Sequence, residues 1–235
     1  MKIIIQQRYI VVDEMDMLLA DKAFSKSVLS IMAHFIGIYK SPFGELNQKR
    51  QIILACASLK KKIRSIPSKE ILEDWFGPLE FVESEKYMRI NQNVDHEKLD
   101  VSSLGYHEKQ VLLKEVIDES QAEKVIVFCK DVLTAEDTCK FLNASDIPTV
   151  SFHSNLRPQE RIESLNSFET GKAIVFMTTD LACRGVDFKD TDLVVQFNYA
   201  QNATNLIHRF GRTGRLNKKG KVTSFVDLED SLLYE

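Results

Sequence analysis

Eight consecutive residues, His208-Arg209-Phe210-Gly211-Arg212-Thr213-Gly214-Arg215, set three guanidinium groups around two glycines. Arginine stays charged at physiological pH, and its planar fork of donors matches phosphate oxygens two at a time. Glycine lets the backbone approach a ligand closely or take a positive φ. The combination suits phosphate binding; the plainer alternative is a basic helix end, broken by glycine and turned to solvent. A second candidate lies near the start, where Val11-Val12 runs into Asp13-Glu14. An apolar strand ending in two acids offers one carboxylate to hold Mg²⁺ and a neighbour to orient or deprotonate a water. Its alternative is a strand that ends in an acidic turn.

The 235 residues are 44% hydrophobic, enough to bury a sizeable core in one large domain or two smaller ones. A net charge of −3 and a pI near 6.0 exclude a protein that coats nucleic acid by bulk electrostatics, so any such contact must be local and sparse. Cys56, Cys129, Cys139 and Cys183 are widely separated, with no C-x-x-C pair, and read as reduced core residues rather than a zinc or redox site. No apolar run approaches the roughly 18 residues needed to span a bilayer. An intracellular protein that makes no use of a membrane is expected, with cytoplasm, nucleus and organelle left open.

The elements that must position these residues follow from periodicity. From about Tyr106 onward short β-branched runs alternate with amphipathic stretches, the pattern of consecutive βα units around a mainly parallel sheet. Helices are predicted over 106–119, 133–144, 202–209 and from Pro158 to about Phe168, with Gly171 as the stop. Strands are predicted over 124–129, 149–152, 173–177, 193–197 and 222–226. In the thinner front portion, strands are expected over 8–12, 50–55 and 79–82, and a helix over 24–35. Between Glu83 and Asp95 the sequence turns polar and loses its period, which marks a domain junction. The predicted organisation is a first domain over 1–85, a linker over 86–92 and a second domain over 93–235.

The motifs, in their order and spacing, resemble those of the DEAD-box ATP-dependent RNA helicases of superfamily 2. Asp13-Glu14-Met15-Asp16 stands where that family has its acidic signature, with Met15 in place of an Ala. Thr178-Thr179-Asp180-Leu181-Ala182-Cys183-Arg184-Gly185-Val186-Asp187 and the His208–Arg215 run match two further motifs. The resemblance implies an α/β fold: a RecA-like helicase C-terminal domain with a parallel sheet, preceded by a partial first RecA-like domain from the Walker B strand onward. It implies Asp13 as the metal-side acid, Glu14 as the catalytic acid that orients water, and Arg212 and Arg215 as catalytic arginine fingers on the γ-phosphate. Asp187 would reach the ATP ribose. Arg161, Thr179, Arg184 and Gly185 would contact the RNA backbone. Asp16, Ser58 and His208 would couple the two domains, with Cys56-Ala57-Ser58 standing where the family has Ser-Ala-Thr. His153 falls at a family His-Gly position, with Ser154 replacing the Gly.

ATP and Mg²⁺ are the implied cofactors, and RNA held by its backbone is the implied partner. The nine glycines include no G-x-x-x-x-G-K-[ST] loop to cradle the β and γ phosphates. The chain is therefore expected to be an N-terminally truncated helicase, inactive by itself. The alternative function is a non-catalytic RNA- or partner-binding module built on the same domain.

Overall fold

The computed structural model describes residues 9–18, 22–36, 51–56, 73–74, 80–82, 90–180, 186, 188, 191–215 and 218–227. The chain divides into two compact units, Met1–Met88 and Arg89–Glu235. In the first, strand β1 (Tyr9–Val12) leads into a short helix α1 (Met15–Leu18), followed by α2 (Lys22–Ile36) and β2 (Gln51–Leu54). The two strands pair in parallel, Tyr9 opposite Gln51 and Val12 opposite Leu54. Val12, Met15 and Met32 make a small buried cluster, with Ile52 and Leu54 against it. The expected strand over 79–82 is not formed: Glu80, Phe81 and Val82 carry no strand pairing, and Val82 is 93% exposed. Its apolar side chains suit a strand, but a strand needs a ladder partner as well as propensity.

The second unit is a six-stranded, wholly parallel sheet. Its elements in chain order are β3 (Val94–Asp100), α3 (Tyr106–Ser120), β4 (Val125–Cys129), α4 (Val132–Ala144) and β5 (Thr149–Phe152). They are followed by α5 (Pro158–Glu169), β6 (Val175–Thr179), β7 (Leu193–Gln196), α6 (Ala203–Phe210) and β8 (Gly220–Val226). The spatial order is β3-β8-β7-β4-β6-β5. Every residue of β4 is buried, as a central strand covered on both faces requires. Alternate residues of that run part to opposite sides. Val125, Val127 and Cys129 join Leu113 and Ile117 of α3 and Ala135 and Leu142 of α4 in one core cluster. Ile126 and Phe128 join Phe168 of α5 and Phe210 of α6 in the other.

Strand β3 was not anticipated from the sequence. Val94-Asp95-His96-Glu97-Lys98-Leu99-Asp100 is polar because it is an edge strand, exposed at Asp95, Glu97, Lys98 and Asp100, and it pairs with β8 in register from Val94–Gly220 to Asp100–Val226. The polar stretch expected to be a junction up to Asp95 thus runs into the sheet at Val94. Helix starts follow local chemistry: Asp131 accepts from the Thr134 amide at 2.8 Å, and Asn202 from the Asn205 amide at 2.9 Å. Gly171, at φ 73°, follows the end of α5. Cys129 is buried and its thiol is pushed far up by desolvation; burial pushes the Cys139 thiol up to about 11. Both are inert core thiols. Cys183 lies outside the described residues.

Candidate functional site

In the second unit, the sheet reverses its direction of growth at β4. The chain adds β6 and β5 on one side, then crosses to lay β7 and β8 on the other. At such a switch point the loops leaving the carboxyl ends of neighbouring strands part and open a crevice. Here those ends are Thr179, Cys129 and Gln196. Asp180 follows β6, Lys130 follows β4 and Asn198 lies just beyond β7, and Asn198 Oδ1 accepts from the Lys130 amide at 3.1 Å.

Arg209 spans this point. Its Nε and Nη2 donate to Asp180 Oδ1 and Oδ2 at 2.7 and 2.8 Å, and its Nη1 donates to Gln196 Oε1 at 3.0 Å and to the Asn198 carbonyl at 2.7 Å. The guanidinium also lies 5.0 Å from the centre of the Phe128 ring. At 1% exposure this is a buried cation held bidentately by Asp180, with Nη1 donating to two further acceptors, the condition under which a buried charge is tolerated. Asn205 of the same helix donates to Asp180 Oδ2 at 3.2 Å. Helix α6 is thus fastened to the ends of β6 and β7 together. Sequence reasoning assigned roles to Arg212 and Arg215 but none to Arg209; the signal that could have found it is Asp180, an acid directly after a buried strand.

The turn after α6 carries the other two arginines. Arg212 is 8% exposed and donates through Nη1 to the Val186 carbonyl at 2.6 Å, with its guanidinium 5.8 Å from the Phe188 ring centre. Arg215 is exposed, and its Nε donates to the Gly211 carbonyl at 2.6 Å. His208 is half-buried in the last turn of α6. The turn is wedged against the start of the sheet. Thr213 Oγ1 donates to the Thr191 carbonyl at 2.6 Å, and Asn91 Nδ2 donates to the Gly214 carbonyl at 2.7 Å. Gly214 takes φ +68°, and a Cβ there would meet Val94 Cγ2 at 2.5 Å. A Cβ on Gly220 would overlap Thr213 Oγ1. Gly211, at φ −65°, has no such need for positive φ.

Arg161 sits on α5 and turns back on its own loop, donating from Nε to the Leu156 carbonyl at 3.0 Å and from Nη2 to the Ser154 carbonyl at 2.9 Å. Its first task is to hold residues 154–156 in place. His153, at the end of β5, is 1% exposed, with Nε2 3.3 Å from Glu136 Oε1 but without hydrogen-bond geometry at either ring nitrogen. Burial holds it below the usual histidine range, against the opposing pull of Glu136. Thr179 is half-buried at the end of β6, and its neighbour Thr178 donates to the Phe152 carbonyl at 3.0 Å. Arg184, Gly185 and Asp187 lie outside the described residues, as does Ser58.

In the first unit, Asp13 and Glu14 leave the end of β1. Asp13 is exposed and its Oδ1 accepts from the Glu14 amide at 2.8 Å, while Glu14 sits at φ 51°. The position is framed by backbone bonds to the end of β2, Ala55 N to the Val12 carbonyl at 2.8 Å and Met15 N to the Ala55 carbonyl at 3.1 Å. Asp16 lies in α1, and its side chain is outside the description. Among the described residues, no three His, Cys, Asp or Glu side chains gather as a ready-made metal cage. No described helix is long and apolar enough to cross a membrane.

The parallel sheet and the arginine motif at its switch point lie largely within residues 108–217, which match the helicase conserved C-terminal domain. Over 223 residues the chain is 30% identical to the probable ATP-dependent RNA helicase ddx49 of Dictyostelium discoideum, which covers 95% of this chain and 40% of that protein. Over 229 residues it is 30% identical to DEAD-box ATP-dependent RNA helicase 39 of Arabidopsis thaliana, 96% of this chain and 35% of that protein. Its fold is similar to that of S. cerevisiae Dbp5 bound to RNA and ADP BeF3, with a TM-score of 0.76 and 22% identity over 96% of this chain and 55% of that one. The chain thus carries a match to the helicase conserved C-terminal domain and is similar to the C-terminal part of DEAD-box RNA helicases. It spans less than half the length of these curated relatives.

Proposed function

We propose that the chain is the C-terminal part of an ATP-dependent RNA helicase, a nucleoside triphosphate hydrolase that remodels RNA by closing two RecA-like domains on nucleotide and RNA. In this reading residues 1–85 belong to the first domain, 86–92 link, and 93–235 form the second. The observation that carries it is the Arg209 clamp, which ties the arginine motif to the ends of β6 and β7. The relatives' names and the RNA and ADP BeF3 bound to the Dbp5 neighbour support the same reading.

The residues present fit the implied cofactors in part. Asp13 offers an exposed carboxylate, and Mg²⁺ commonly takes only one or two protein carboxylates, completing its shell with water and phosphate. Bound Mg²⁺ would neutralise charge on the β and γ phosphates. Glu14 would orient the attacking water, and Arg212 and Arg215 would face charge that develops on the γ-phosphate. Asp187 would hold the ribose. Arg161, Thr179, Arg184 and Gly185 would hold RNA phosphates, a sequence-tolerant mode of binding. Asp16, Ser58 and His208 would couple the domains. The phosphate cradle is not among these 235 residues. RNA is the proposed partner, protein cofactors are left open, and the proposed setting is intracellular.

The second reading is a non-catalytic RNA- or partner-binding module built on the same domain. A chimera separates the two. Residues 93–235 replace the matching part of the Dictyostelium relative, and RNA-stimulated ATP turnover is measured. Turnover lost with Arg212→Ala supports the helicase; a folded chimera that binds RNA but never hydrolyses ATP supports the module.

A further inference from the structure

The hydrogen bonds that hold Arg209 do not end at Gln196. Gln196 Nε2 donates to Ser224 Oγ at 2.7 Å, and Ser224 Oγ lies 2.8 Å from His96 Nε2. Gln196 and Ser224 are fully buried, and His96 is half-buried on the edge strand β3. The His96 ring stands edge-on to Phe210, centroids 4.7 Å apart, and Phe210 is the next residue after Arg209. Side chains from β3, β8, β7 and α6 therefore form one polar chain across three neighbouring strands and into the arginine motif.

The direction of this chain is fixed from one end. Arginine carries donors only, so the amide oxygen of Gln196 faces Arg209 and its NH₂ faces Ser224. Ser224 Oγ must accept that bond. Among the described residues its own proton has one further partner, His96 Nε2. Donation there requires a lone pair on Nε2, which puts the proton of the neutral ring on Nδ1. In the opposite arrangement Ser224 accepts twice and its hydroxyl proton is left without an acceptor inside a buried sheet, a loss larger than the bond it would replace.

We propose that His96 is a positioning residue for the arginine motif: as a neutral ring accepting from Ser224, it closes a one-directional hydrogen-bond chain that fixes Arg209 and, through Arg209, the turn that carries Arg212. The consequence for RNA or nucleotide rests on the helicase reading above, whereas the chain itself does not. The turn follows directly, since the Arg212 amide donates to the Arg209 carbonyl at 3.1 Å. Protonating His96 would put a donor on Nε2, reverse the link to Ser224 and add a second cation to the chain that holds Arg209. The charged and titratable groups of the elements around it are Asp95, Glu97, Lys98 and Asp100 on β3, Lys221 on β8, paired with Glu97 at 2.8 Å, and His208 and Arg209 on α6. Burial and then Lys98 hold the ring below the usual histidine range, against the weaker pull of Asp95.

The test is side-chain ¹⁵N NMR on the full chain, following the histidine nitrogens and the Arg209 Nε–H signal from above neutrality down to about pH 5. The expected result is a neutral His96 with its proton on Nδ1, and an Arg209 signal that shifts with the same midpoint as the His96 titration. His96→Gln, whose amide oxygen can accept from Ser224, should keep the Arg209 signal and remove this pH dependence; His96→Leu should displace the signal at every pH. An Nε2–H tautomer at neutrality, or an Arg209 signal indifferent to His96, overturns the proposal. Affinity for single-stranded RNA, read on the same samples, tells the two readings apart. Affinity falling with the shared midpoint supports both. No RNA binding at any pH, with the two signals still coupled, supports the positioning role and sinks the helicase reading.

Discussion

Arg209 and Asp180 share two parallel hydrogen bonds of 2.7 and 2.8 Å, and the arginine is 1% exposed. A pair of this geometry joins the end of β6 to helix α6, so Asp180 and the arginine motif cannot move independently. Its removal would leave one charge uncompensated in the sheet's crevice. Arg209→Ala should therefore destabilise the second unit by about 3 kcal/mol. Urea unfolding followed by tryptophan-independent circular dichroism measures this, and an unchanged midpoint would refute a structural role.

Arg212 is buried, but its guanidinium makes one described hydrogen bond, to the Val186 carbonyl. Arg212→Ala should cost about 1 kcal/mol of stability, far less than Arg209→Ala. In a chimera that supplies a phosphate cradle it should lower ATP turnover by about 10³-fold or more while leaving nucleotide affinity nearly intact, because a finger acts on charge present only in the transition state. Arg212→Lys should recover little, since an ammonium lacks the fork. Normal turnover in Arg212→Ala would rule the finger role out.

Arg161→Ala tests a mixed role. The guanidinium holds the Ser154 and Leu156 carbonyls, so its loss should speed amide exchange in residues 153–157 and also weaken RNA binding. Weakened RNA binding with unchanged exchange would assign the residue to direct phosphate contact alone.

Gly220→Ala should be more damaging than Gly171→Ala. A Cβ on Gly220 would overlap the Thr213 side chain, whereas nothing lies within 4 Å of a Cβ on Gly171, whose positive φ is the only obstacle. Thermal unfolding should show a loss of about 1–3 kcal/mol for Gly220→Ala, the range of overpacking, and a smaller loss at Gly171. Equal losses would mean that the turn after α6 yields freely.

Stability of the second unit should fall in mild acid. Burial lowers the His96 and His153 pKa values, so below about 6.5 the unfolded chain binds protons that the folded chain refuses. Stability is fully present above that value and declines as pH drops toward the lower folded values. His153→Asn should flatten the decline; an identical pH profile for wild type and variant would show that His153 does not contribute.

The sequence by itself determined the periodic elements of the second unit. The runs at Val125–Cys129 and Leu193–Gln196 are too apolar to be anything but covered strands, and Pro158 and Gly171 punctuate α5 as local backbone chemistry requires. It also marked the arginines between glycines as candidates for phosphate chemistry, because a guanidinium keeps its charge and its fork of donors wherever it lies. The tertiary structure alone decided what each arginine does. Arg209, Arg212 and Arg215 are equivalent as letters, yet one is a fully paired buried cation, one is anchored by a carbonyl and one is exposed. That difference depends on Asp180, Gln196 and Asn198, which approach Arg209 only when β6 and β7 flank β4. Strand β3 was hidden for the same reason: an edge strand needs little apolar signal of its own, and it exists because β8 supplies a ladder, a non-local partner more than a hundred residues away. Local propensity is written residue by residue, whereas pairing across the sheet is settled only when distant segments meet.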